Sequence, residues 1–175
     1  VSHLIVEKLE ARYPEFVKAL EEKGVKYIRV MPEVDDPTSA IGRGWKSTFL
    51  TESKEEAEKK MDEAGQSYTW LESGDVRTIT AAVPAIRVNP RTGKKAFFNS
   101  AVAAYTGWVD SRNVAKDSVR LGDDTPVDHD AMAAAVEIMK EETVAFKWQE
   151  KDVAFIDNRA AMHSRNPFKR PRRIL

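Results

Sequence analysis

The chain has 175 residues, and its 28 Lys plus Arg balance its 28 Asp plus Glu, so a formal net charge of zero offers no field to draw nucleic acid or an anionic membrane. The absence of cysteine excludes disulfides and thiolate metal sites, leaving imidazole and carboxylate as the strong metal ligands. No apolar run approaches the roughly 20 residues of a membrane span and no signal-peptide pattern is visible, so the expectation is one domain over residues 1–175, soluble and cytoplasmic by default.

In chain order, Ser2 to Glu10 spaces Leu4, Ile5 and Leu9 as one buried helical face, with Ser2 able to cap it. A second helix follows Tyr13: Pro14 suits its first turn, Phe16, Val17 and Leu20 share a face, and Gly24 fits just past its end. Val25 to Met31 reads as a strand. Pro32 to Gly44 reads as a loop punctuated by Gly42 and Gly44, and Trp45 to Leu50 as extended. Ser53 and Glu56 form a capping box for a third, very polar helix that ends at Gly65, read as a surface insertion over 53–65 with Ala57 and Met61 inward.

From Ser67 to Ala103 the pattern is short strands: Tyr68 with Trp70, Val76 to Ala82, Ile86 to Val88, and Ala96 to Phe98, divided by turns at Ser73-Gly74-Asp75 and Asn89 to Gly93. Tyr105 to Asp124 reads as irregular. Asp128 starts a helix running to about Glu142, with Met132, Ala135, Val136 and Met139 inward. Val144 to Trp148 and Val153 to Asp157 read as two further strands. Short strands separated by Gly and Pro turns favour a sandwich or barrel over a parallel sheet.

The candidate chemistry sits at the end of the chain. The apolar run Val153 to Ile156 leads to a lone histidine, His163, and ten positions later Arg173 is followed by aliphatic residues. Strand, loop, strand would place one imidazole and one guanidinium over the same space, the first suited to iron and the second to a carboxylate taken bidentately. On residue type alone, a lone histidine beside an apolar strand is more often a hydrogen-bonded structural residue. Arg165, Lys169, Arg170, Arg172 and Arg173 could instead form a basic patch, but two prolines and Phe168 interrupt it and the chain is neutral.

Several stretches carry a resemblance along nearly the whole chain: Arg12 to Val17, Ile41 to Leu50 (IGRGWKSTFL), Phe98 to Trp108 (FNSAVAAYTGW), Trp148-Gln149, and Asp157 to Leu175. They are similar to the taurine catabolism dioxygenase family and its plant-type clavaminate synthase-like branch. The resemblance implies a mainly β fold with helices, a double-stranded β-helix or jelly roll. It also implies an Fe(II)-dependent enzyme that consumes 2-oxoglutarate and O2 to oxidise a small organic substrate. His163 is then the C-terminal iron ligand and Arg173 the clamp on the 2-oxoglutarate carboxylate. Trp45 and Asn99, in the two most family-like stretches, become candidates for the substrate pocket, with core packing and a strand-end hydrogen bond as their plainer roles.

The pattern departs from the family in two ways. The family draws a second histidine and a carboxylate from a His-x-Asp or His-x-Glu motif on an early strand, and neither His3, followed two on by Ile5, nor His129, followed by Ala131, forms one. Lys151 stands where the family has a turn glycine. With Val1 not a methionine and Leu175 inside strand-like sequence, the expectation is the C-terminal portion of a longer polypeptide, carrying one of three metal ligands. The competing expectation is a jelly-roll module that has lost its metal site and serves binding or structure.

Overall fold

The helices begin and end where local chemistry requires. In the computed structural model, which describes residues 2–164 and 166, the second helix (α2, Pro14–Lys23) has proline in its first turn, and Gly24 closes it with φ +67° and its N–H on the Leu20 carbonyl. A side chain there would lie 2.4 Å from the Val83 carbonyl oxygen, so the position demands glycine. The first helix (α1, Ser2–Arg12) already includes Ser2, which is buried and gives its N–H to the Ala160 carbonyl instead of serving as a cap.

Next come β1 (Val25–Met31), α3 (Trp45–Phe49), α4 (Lys54–Glu63), β2 (Ser67–Trp70), β3 (Val76–Ile79), β4 (Ile86–Val88) and β5 (Lys95–Phe97). They are followed by α5 (Ala101–Gly107), a single 3₁₀ turn, β6 (Val119–Leu121) and α6 (His129–Glu141). Four strands form an antiparallel sheet in the order β2-β3-β1-β6, and β4 pairs with β5 in a separate antiparallel ribbon. The described residues are thus mixed α and β with antiparallel sheets.

Strand alternation gives the larger sheet two unlike faces. Val25, Met31, Val76, Thr78, Val119 and Leu121 point to the filled side. The main core joins α1, α2, α5 and α6 to that side through Leu9, Phe16, Leu20, Val119, Met132 and Ile138, among others. A smaller core of Met31, Trp45, Ala57, Met61 and Val76 lies at the other end. α4 is capped by Ser53, whose hydroxyl accepts the Glu56 N–H, and buries only Ala57 and Met61, the two positions its sequence singles out.

Three stretches depart from the sequence reading. Trp45 to Leu50 is helical, because Gly44 supplies an extended start and Leu50 a left-handed stop, and one turn brings Trp45 and Phe49 to the same small core. The region after Ala101 holds α5 and β6, where β6 finds its partner in β1 across almost a hundred residues, a pairing invisible to local periodicity. Val144–Trp148 and Val153–Asp157 are not strands, and Val144, Phe146, Trp148, Val153 and Phe155 are all exposed. Alternation shows which residues seek cover, but a strand exists only where a neighbour accepts its hydrogen bonds, and among the described residues none does. Lys151, in the turn between them, adopts φ +75°, the conformation a glycine would take without strain.

Candidate functional site

The loop between β1 and α3 is held in place by charges that the sequence did not single out. Two glycines let it fold on itself: a Cβ on Gly42 would lie 2.1 Å from the Asp36 carbonyl oxygen, and one on Gly44 2.7 Å from the Val34 carbonyl carbon. Arg29, on β1, donates to the Ile41 carbonyl and, at 2.8 Å, to the Arg43 carbonyl, and burial pulls its pKa below the usual arginine range. Arg112 donates to Asp36 at 2.6 Å and to Asp110 at 3.0 Å, while Ser39 donates to Asp110 at 2.8 Å.

Asn113 completes this cluster by bonding both ways with β1: its side-chain oxygen accepts the Val30 N–H at 2.7 Å and its amide donates to the Val30 carbonyl at 3.0 Å. Burial alone would raise the Asp110 carboxyl, but the Arg112 N–H, Asn113, Ser39 and the Arg112 guanidinium outweigh it and hold it far below the carboxylate range. The Thr38 hydroxyl and then Arg112 lower Asp36 to about 2. The local signals for this cluster are Asp110, whose carboxylate accepts the N–H groups of Arg112 and Asn113, and Asp36, which accepts the Thr38 N–H, both in turns that aspartate favours.

The sequence-designated residues fall in different places. Trp45 is 1% exposed; its indole N–H donates to the Gly74 carbonyl at 3.1 Å, and its ring meets Trp70 edge-on at 5.1 Å. Asn99 lies at the start of α5, where its amide donates to the Ala85 carbonyl at 2.8 Å and its oxygen accepts the Ala101 N–H at 2.8 Å. His129 opens α6, where Asp128 caps the helix by accepting the Asp130 and Ala131 N–H groups. Its Nδ1 lies 2.6 Å from the Tyr105 hydroxyl, whose pKa burial raises, so the phenol stays protonated at neutral pH.

His163 is exposed, in the irregular segment that follows Asp157. Asp157 pairs with Arg91 and accepts the Arg159 N–H at 3.0 Å, and Met162 packs on the main core. Arg173 and its neighbour Arg172 lie outside the described residues, so the convergence of His163 and Arg173 is not described. Among the described residues no group of three or more His, Cys, Asp or Glu could hold a metal ion. The described residues therefore do not by themselves bring together the three donors of a non-haem iron site.

Residues 2–175 match the family model described as taurine catabolism dioxygenase TauD, TfdA family. The chain belongs to that family of dioxygenases. Across all 175 residues it is 47% identical to a clavaminate synthase-like protein of Arabidopsis thaliana, an alignment that covers 100% of this chain and 53% of that protein. The chain therefore spans about half the length of the relative it matches. No described helix is long and apolar enough to cross a membrane.

Proposed function

We propose that the chain is part of an Fe(II)- and 2-oxoglutarate-dependent dioxygenase, with His163 as one iron ligand and Arg173 as the clamp on the cosubstrate carboxylate. The observation that carries the reading is the family match over residues 2–175, reinforced by 47% identity that runs through the whole chain. In this reading the antiparallel strands belong to a double-stranded β-helix. The substrate is a small organic molecule, and overall one O2 oxidises it while converting 2-oxoglutarate to succinate and carbon dioxide. Arg173 suits its role because a dianion held away from water needs a donor that is always charged and has a planar fork.

The test uses the whole protein, with succinate formation and bound iron measured separately. Arg173→Ala is expected to cut 2-oxoglutarate-dependent succinate formation at least a hundredfold with iron content intact, and His163→Ala to lower iron content as well. Unchanged turnover in Arg173→Ala refutes the clamp. A second reading, a non-catalytic jelly-roll module, is favoured by the lack of a three-donor metal group among the described residues. It predicts that the whole protein binds no iron and forms no succinate.

A further inference from the structure

The face of the four-stranded sheet turned away from the core is not flat. Ile28 and Val30 on β1 form the floor of a groove of about 370 Å3, with Arg77 of β3 on one wall and Arg120 of β6 on the other. The strand register explains this placement, since Arg77 pairs with Val30 and Arg120 with Lys26, so all these side chains share one face. Arg112 and Asn113 close one end. The volume falls within the range of small-molecule sites.

The charges in the groove are not equivalent. Arg112 is already neutralised by Asp36 and Asp110, so it serves as wall. Arg120 gives one N–H to the Asp124 carbonyl, and Asp117, the carboxylate that lines the groove, lies three positions before it in the chain. Arg77 is half-buried and has no hydrogen-bonded or ion-paired partner among the described residues. A partly desolvated guanidinium at the edge of an aliphatic floor lacks a planar anion.

We propose that this groove binds a short-chain aliphatic carboxylate, with Arg77 taking the carboxylate and Ile28 and Val30 the hydrocarbon stem. The two floor residues are two positions apart, about 7 Å along the strand, a span covered by a chain of about five or six carbons. The aliphatic floor carries no ring for a base to stack on, and Asp117, which lines the same groove as Arg120, opposes a polyanion such as a polyphosphate. The inference does not depend on iron, on His163 or on Arg173.

The test is calorimetric titration of the whole protein with hexanoate, and separately with inorganic phosphate and with 1-hexanol. Saturable one-to-one binding of hexanoate is expected, weakened at least tenfold by Arg77→Gln and by a smaller factor in Arg77→Lys, which keeps the charge but loses the fork. Lys18→Gln, which removes the same charge from an exposed helix position, is expected to leave the affinity within twofold. Melting temperatures identify any variant that fails to fold, and Arg77→Lys then carries the comparison. The proposal is overturned if hexanoate does not saturate, if Arg77→Gln binds as wild type, if Lys18→Gln loses as much, or if phosphate or hexanol binds as tightly as hexanoate. Because the readout is heat of binding, loss of the dioxygenase reading leaves this result standing, and the converse also holds.

Discussion

Replacing Trp45 separates a packing role from a pocket role. The side chain is 1% exposed and forms the centre of a core with only Met31, Ala57, Met61 and Val76 as its other buried members. Truncation to Ala leaves a cavity that so small a cluster cannot refill, and large-to-small changes of this kind cost about 3–5 kcal/mol. Trp45→Phe keeps most of the volume but leaves the Gly74 carbonyl without its indole donor and alters the edge-on contact with Trp70. Each of those terms is worth about 1 kcal/mol, so a loss of about 1–2 kcal/mol is expected. Urea unfolding followed by far-UV circular dichroism measures both, and amide exchange along α4 should accelerate in the Ala variant because Ala57 and Met61 lose their support. A loss below about 1 kcal/mol in Trp45→Ala, with α4 exchange unchanged, would refute the packing role.

Two further perturbations test the charged loop and the late turn. Asp36 and Asp110 both titrate lower in the folded protein than the usual carboxylate range, Asp36 at about 2, so their contribution is complete above about pH 4 and fades as the pH falls toward 2. The gap in urea midpoint between wild type and Asp36→Asn should therefore hold from pH 7 to pH 5 and close between about pH 4 and pH 2; a gap unchanged at pH 2.5 would show that neither the Thr38 hydroxyl nor Arg112 reads the carboxylate charge. At Lys151, φ is +75°, a conformation costing a side-chain-bearing residue about 1 kcal/mol or more. Lys151→Gly, despite its greater unfolded-state entropy, is expected to raise stability by about 0.5 kcal/mol in thermal denaturation, and a clear loss would mean that the lysine side chain contributes in its own right.

The sequence made most of the helices legible because each carries its own boundary chemistry. Pro14 and Gly24 bracket α2, Ser53 caps α4, and Asp128 caps α6 with the inward positions Met132 and Ala135 where spacing puts them. The early strands were legible for the same reason, since the turns at Ser73 to Asp75 and Asn89 to Gly93 lie between elements that do pair. What escaped depends on distant partners. Three-residue β6 owes its existence to β1, and the Arg29 and Arg112 clusters join residues far apart in the chain, which no periodicity can signal.

The stretches that carry the family resemblance are held by very different amounts of structure. Around Trp45 and Asn99, indole, amide and guanidinium groups bond to backbone carbonyls from several elements, so each side chain has one position. The stretch bearing His163 is tied by the Ser2 N–H to Ala160, the Arg91–Asp157 pair and the packing of Met162, while the imidazole itself is exposed. A metal ligand must be held within about half an ångström of its working geometry by its surroundings. Those three ties hold the backbone before His163, and in its proposed role as an iron ligand the imidazole, which bonds to no described side chain, would have to be oriented by further groups.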